Sequence, residues 1–122
     1  MNDKCEVVYL DPARRDQRKI GKKSPGDIPF IENAVKEVED NGWKMATGSR
    51  LIRPLRNKKQ IGEIRDMQGD YRLILFWHDD GSTRYLFVTA VVTKEEVEDR
   101  SRLNTFIEAA IKRRNQFLKE QG

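Results

Sequence analysis

Residues 60–92, QIGEIRDMQGDYRLILFWHDDGSTRYLFVTAVV, constrain this chain more than any other stretch. Three runs rich in Ile, Leu, Val, Phe, Tyr and Trp follow one another at 60–66, 71–78 and 84–92, and such residues suit a pleated surface. Asp80-Gly81 separates the last two runs and favours the positive φ angles of a type I′ hairpin turn. With Asp80 and Gly81 as the two loop residues, Asp79 faces Ser82, Phe76 faces Tyr85, Ile74 faces Phe87 and Arg72 faces Thr89. The other face then carries Tyr71, Leu73, Leu75 and Trp77 with Leu86, Val88 and Ala90. Both faces are largely apolar, so alternation does not single out a wet one. Arg72 is the exception, an obligate cation among apolar neighbours, and is either a salt-bridge partner or a tool.

The rest of the chain builds around these strands. Residues 6–10 (EVVYL) read as a short strand ending at the Asp11-Pro12 turn signal. Next comes ARRDQRKIGKKSPG, where Arg14, Arg15, Arg18, Lys19, Lys22 and Lys23 stand against one acid, Asp16. Gly21 and Ser24-Pro25-Gly26 interrupt it, so the expectation is a basic loop with a helical turn near its start. It is either a solvated loop or an arm for phosphates. Residues 27–40 are helix-like: Asp27 can cap, Pro29 is tolerated in the first turn, and Ile28, Ile31, Val35 and Val38 form an apolar stripe. Asn41-Gly42 stops this helix. Residues 43–51 are ambiguous, and Leu51, Ile52 and Leu55 around Pro54 read as a connection packed on the sheet. Arg50, Arg53, Arg56, Lys58 and Lys59 make a second basic cluster with no acid between them. After the strands, Thr93 with Glu96 predicts a capping box. Leu103, Phe106, Ile107, Ala110, Ile111, Phe117 and Leu118 then recur at helical spacing, with a break expected near Arg100 and Ser101. The polar face of this helix holds Lys112, Arg113, Arg114 and Lys119.

Together these elements predict one α+β domain over residues 1–122, a small antiparallel-rich sheet with helices packed on one face. Composition excludes several function classes. One His and one Cys cannot build an ordinary zinc site, so no metal is expected, and a Ser-His-Asp hydrolase is equally disfavoured. The lone Cys5 excludes an internal disulfide and fits a reducing cytoplasm. It is expected to be a half-buried strand residue. No apolar run approaches the roughly 20 residues of a membrane span, and MNDKCEVVYL does not read as a signal peptide. The net charge of +4 and pI near 9.3 are mild, but the basic residues are clustered, which suits a nucleic-acid partner.

Four short segments in order carry a family resemblance: LIRPLR at 51–56, GEIR at 62–65, DYRLI at 70–74 and LFVTAVVTK at 86–94. In this pattern the chain resembles the RelE/HigB-type toxins of bacterial type II toxin–antitoxin modules, especially the phage-derived Gp49-like branch. The resemblance implies a small sheet with two helices on one side and a basic concave surface on the other. It implies a ribosome-dependent, metal-independent endoribonuclease without cofactors, an mRNA interferase that inhibits translation. There the RNA's own 2′-hydroxyl is the nucleophile and a cyclic phosphate is left. Such chemistry needs a base near that hydroxyl and cations on the phosphate. On this resemblance Arg72 matches the phosphate-stabilising arginine, with Arg65, Glu63 and Lys94 as the other catalytic candidates. Glu63 stands where RelE carries a lysine and could itself be the base. Lys22, Lys23, Arg53, Arg56, Lys58 and Lys59 are the RNA-binding candidates. The implied partners are the ribosome with its mRNA and a cognate antitoxin, a small helix-turn-helix DNA-binding protein; no membrane is implied. Two alternatives stay open: a toxin of this fold that acts by binding, for example on DNA gyrase, and a plain basic RNA-binding domain.

If Arg72 is to share a site with Arg65 and Glu63, Arg65 or Glu63 must stand opposite Arg72 across the sheet. A one-residue change of register would send Arg65 to the other face.

Overall fold

A computed structural model describes residues 3–55, 60–66 and 70–121. The core is a five-stranded sheet in the order β1-β5-β4-β3-β2. Its strands are β1 (Cys5–Tyr9), β2 (Ile52–Pro54), β3 (Ile61–Arg65), β4 (Tyr71–Asp79) and β5 (Arg84–Thr93). The pairings are antiparallel except β1 with β5, which is parallel. The helices are α1 (Asp11–Lys23), α2 (Ile28–Asn41), α3 (Trp43–Gly48), α4 (Lys94–Glu98) and α5 (Arg100–Gln121). The class is therefore the expected α+β with an antiparallel-rich sheet.

The helices do not all lie on one face, which corrects the expected layering. Ala13 of α1, Ile31, Ala34 and Val38 of α2 and Ala46 of α3 are buried with Ile64, Leu73, Leu75, Leu86 and Val88. Ile107 and Ala110 of α5 are buried instead with Ile61, Ile74, Phe76 and Val92. The reason is in the strands themselves: both faces of β4 are apolar, and each needs its own cover. Phe117 of α5 closes the second layer, with its ring centroid 4.8 Å from that of Phe87 and 5.9 Å from that of Phe76.

The hairpin turn is longer than the two-residue loop expected. Asp79 pairs with Arg84 and Phe76 with Phe87, so Asp80 to Thr83 form the loop. Asp80 decides this: its Oδ1 accepts from Ser82 N at 2.9 Å, Ser82 Oγ at 2.9 Å and Thr83 N at 2.8 Å. These bonds hold the Asp80 carboxyl down at about 2. They make an Asx-type turn in which Gly81 takes φ +94°. A two-residue shift keeps each side chain on its face, because the strand period is two. A bulge between Ile74 and Leu75 then moves Ala90 to the α5 face, opposite Ile74, and sets Arg72 against Val92 rather than Thr89.

The first basic segment is also not a loop. α1 is helical through Lys23, because Ala13, Asp16, Gln17 and Ile20 form an inward stripe while Arg14, Arg15, Arg18, Lys19, Lys22 and Lys23 stay exposed. Asp16, the one acid of the run, accepts from Val91 N at 2.9 Å, covering backbone that β1 is too short to pair. Glu39 of α2 does the same for Val7 N at 2.9 Å on the β1 edge. Asp27 does not cap α2 with its side chain; its carboxylate accepts instead from Tyr71 Oη at 2.8 Å. Residues 52–54, expected as connection, form the short edge strand β2. Gly62 is where β2 comes close: a Cβ there would lie 3.0 Å from the Arg53 carbonyl oxygen and 3.3 Å from Trp77. Cys5 is buried more deeply than expected, its thiol pushed up to about 11 mainly by burial.

The predicted capping box is present. Thr93 Oγ1 accepts from Glu96 N at 3.1 Å, and Glu96 Oε1 accepts from Thr93 N at 3.0 Å. Thr93→Ala removes one half of this reciprocal pair and should cost about 0.5–2 kcal/mol in denaturant unfolding. A loss well below that range would mean that packing, not the cap, holds the β5–α4 junction. The break before α5 falls at Asp99, whose Oδ1 accepts from Ser101 N at 3.0 Å.

Candidate anion-binding site

β2, β3 and β4 bring three arginines and one acid together on the α5 face of the sheet. Arg53 pairs with Glu63, and Arg65 pairs directly with Arg72. The geometric condition for a shared site is therefore met. Alternation along β3 places Glu63 and Arg65 on one face, and the pairings add Arg53 and Arg72 to it.

The environment of these groups is unequal. Arg72 is only 8% exposed and Glu63 only 5%, whereas the Arg53 side chain is 67% exposed. Arg72 Nη1 donates to the Tyr71 carbonyl oxygen at 2.8 Å, which fixes part of the guanidinium fork. Arg53 Nη1 lies 4.0 Å from Glu63 Oε1. Burial pushes the Glu63 carboxyl above its ordinary value, while Arg72 first, then Arg53 and Arg65, pull it back; burial wins. A carboxylate in this position partly offsets the buried Arg72 charge and remains easier to protonate than a free glutamate.

Like charges directly opposite each other across two strands destabilise a sheet. Arg65 and Arg72 are such a pair, and one acid cannot neutralise the three guanidinium groups around it. An anion lying between the arginines would relieve that repulsion. Guanidinium groups suit the task, since their planar forks match phosphate and carboxylate oxygens two at a time.

The raised Glu63 carboxyl has a consequence for stability. The folded chain holds this proton to higher pH than the unfolded chain does. Its contribution to stability is therefore complete below the ordinary glutamate value of 4.5 and is lost as pH rises through the folded value. Asp16 is raised for the same leading reason, burial, and acts in the same direction. Melting temperatures measured from pH 4 upward should fall less steeply for Glu63→Gln than for the unsubstituted chain. Parallel curves would show that Glu63 does not carry this linkage.

Lys94 is not part of this group. It lines a separate cleft with Asp27, Asp70, Tyr71, Glu95 and Glu98, and its Nζ lies 4.0 Å from Glu98 Oε1. Its backbone N–H donates to the Asp70 carbonyl oxygen. Lys22 and Lys23 are exposed at the end of α1, which packs on the opposite face of the sheet. Arg56, Lys58 and Lys59 lie outside the described residues. His78, a strand-end residue, packs its ring against Phe117 with centroids 5.1 Å apart. Trp43 and Trp77 are partly buried against each other at 4.8 Å, with Arg84 stacked 4.2 Å over Trp43. Arg50, not among the candidates named from sequence, lies beside Arg53 and Arg65 at the β2 edge. Its place three residues before Arg53 in an acid-free run was the available signal.

Among the described residues no cluster of His, Cys, Asp and Glu could hold a metal ion, and no helix is long and apolar enough to cross a membrane. No protein-family model matches the sequence, and no curated protein matches it. Among solved structures, the chain is similar to the toxin–antitoxin complex RelBE2 from Mycobacterium tuberculosis, at 26% identity and a TM-score of 0.42, over 71% of this chain and 94% of that one.

Proposed function

We propose that this chain is the toxin of a type II toxin–antitoxin pair, of the RelE/HigB type and nearest its Gp49-like branch, acting on mRNA at the ribosome. The observation that carries the reading is the Arg65–Arg72 cross-strand pair beside a buried Glu63. These are the same residues that the GEIR and DYRLI motifs single out. In the proposed reaction the two arginines hold the scissile phosphate and take up the charge that develops on it. Glu63 accepts the proton of the neighbouring 2′-hydroxyl, whose oxygen attacks phosphorus. The bond to the 5′-oxygen breaks, leaving a cyclic phosphate, and that oxygen takes its proton from solvent. A carboxyl raised above the ordinary range sits closer to working pH, which favours a general base. Neither metal nor cofactor is needed for this scheme.

One observation favours a second reading. Lys94, the remaining catalytic candidate, lines a different cleft and faces Glu98, and among the described residues the cations that bear on Glu63 are all arginines. A toxin that binds its target through the arginines without cutting, on DNA gyrase for example, fits that arrangement.

The expected setting is the cytoplasm, and the expected silencing partner is a small helix-turn-helix antitoxin. An acidic helix or arm of the antitoxin would cover the basic surface, because opposite potentials speed and orient encounter. The test is controlled induction in a bacterial host. Growth should stop, ribosome-associated mRNA should be cut, and the product of an adjacent helix-turn-helix gene should restore growth. Growth arrest with intact mRNA and stalled gyrase would select the second reading. Normal growth under full induction would end both.

A further inference from the structure

The β2 edge of the sheet carries an open cleft of about 580 Å³, within the size range of ligand-holding clefts. Arg50, Arg53 and Arg65 line it with Thr47, Ile52, Pro54 and Leu55, and among the described residues no carboxylate does. That absence is informative in a chain with 20 acids against 24 lysines and arginines. The cleft over α2 includes Glu37, Asp40 and Asp66; the one at Lys94 holds four acids; those beside Phe117 and along α5 contain Glu120 and Glu108. Glu63 faces Arg53 from the sheet, 4.0 Å from its Nη1, and does not line the cleft.

The backbone gives a second, independent observation. Arg50 ends the turn after α3 with φ +66°, in the left-handed region that favours Gly or Asn. Its N–H donates to the Thr47 carbonyl oxygen at 3.2 Å, closing the helix end. Glycine would perform that closure with less strain; the chain instead places an exposed arginine there, lining the cleft.

Resting on the RNA reading above, we propose that this cleft binds a second phosphodiester of the same single-stranded RNA, next to the one held by Arg65 and Arg72. Arg65 belongs to both sites and so links them. The strand crosses the β2 edge from the Arg72 corner toward Arg50. Arg50 and Arg53 position the chain and Arg72 meets the reacting phosphate, so Arg50 is a positioning residue. The site is open and arginine-lined, which suits a backbone phosphate rather than a stacked base.

The test is binding of a single-stranded RNA decamer, followed by fluorescence anisotropy across a salt series. Arg50→Ala should weaken binding about 10-fold and reduce the log–log salt slope by about 0.7, the loss of one single-strand phosphate contact. Arg50→Lys should keep the slope but not the full affinity. Arg50→Gly should weaken RNA binding as Arg50→Ala does while raising the melting temperature, because it relieves the left-handed backbone. Unchanged affinity and slope in Arg50→Ala, with binding lost in Arg72→Ala, would overturn this site and leave the proposed function standing. If neither substitution affects RNA binding, the RNA reading itself falls. A poly-glutamate decamer competing as well as the RNA, with equal dependence on Arg50, would show an acidic-peptide site and also overturn the proposal.

Discussion

Arg72→Ala should abolish growth arrest and lower any RNA-cleaving rate about 10²–10³-fold, the effect of losing one charge-stabilising donor at roughly 2.7–4 kcal/mol. The same substitution has a structural side that must be separated from the functional one. Arg72 is the cation that bears most strongly on buried Glu63, and removing it leaves that acid without its main support. Removing the guanidinium also strands the Tyr71 carbonyl oxygen that Arg72 Nη1 bonds, at a cost of about 1–3 kcal/mol, so the single variant should also unfold at lower denaturant. Adding Glu63→Gln removes the stranded acid and should recover most of the stability. It should recover none of the growth arrest. Arg72→Lys keeps the charge but loses the planar fork, so it should fold normally and retain only weak activity. A stable, fully toxic double variant would reduce Arg72 to a core counter-ion and remove it from the site.

The second large effect concerns the covering of the sheet by α5. Phe76 is 1% exposed and sits against Phe87, centroids 5.0 Å apart, as well as against Phe117. Phe76→Ala should destabilise the chain by about 3–5 kcal/mol, the transfer loss plus the cavity left behind. That is a large part of the roughly 5–15 kcal/mol typical of a folded domain. The loss should also be local in character. Amide exchange in the C-terminal half of α5 should accelerate before that in α2, because Phe117 loses its seat while Ile31, Ala34 and Val38 keep theirs. Arg114, which donates from Nε and Nη2 to Gln60 Oε1 at 3.0 and 2.7 Å, should hold the middle of α5 for longer. Uniform loss of protection over both layers would mean that the two cores unfold as one unit and that α5 is not a separable cover.

The two predictions act on neighbouring parts of one face, which explains how a small domain can be both stable and functional there. α5 buries the apolar part, around Ile74, Phe76 and Val92, and the charged part lies at Arg53, Glu63, Arg65 and Arg72. The fold tolerates two opposed arginines because its apolar contacts are made by other residues.

Local chemistry was legible without coordinates. The three strand runs, the α2 stripe and the Thr93–Glu96 box each depend on residues within a few positions of one another, so spacing alone specified them. The condition that Arg65 or Glu63 face Arg72 could be stated from sequence, but only the register of β3 on β4 chose Arg65. Other features depended on distant partners. α1 reads as a broken basic run until β5 supplies the surface for Ala13 and Ile20 and the N–H that Asp16 accepts. Asp27 has the composition of a helix cap, yet Tyr71, far along the chain, takes its carboxylate. The turn at Asp80-Gly81 was marked correctly as a turn, but its length was set by how many donors the Asp80 carboxylate gathers. Alternating apolar strands determined that both faces needed cover. Only the tertiary structure decided that α1, α2 and α3 would take one face and α5 the other, because burial is won by whichever surface the chain can bring into contact.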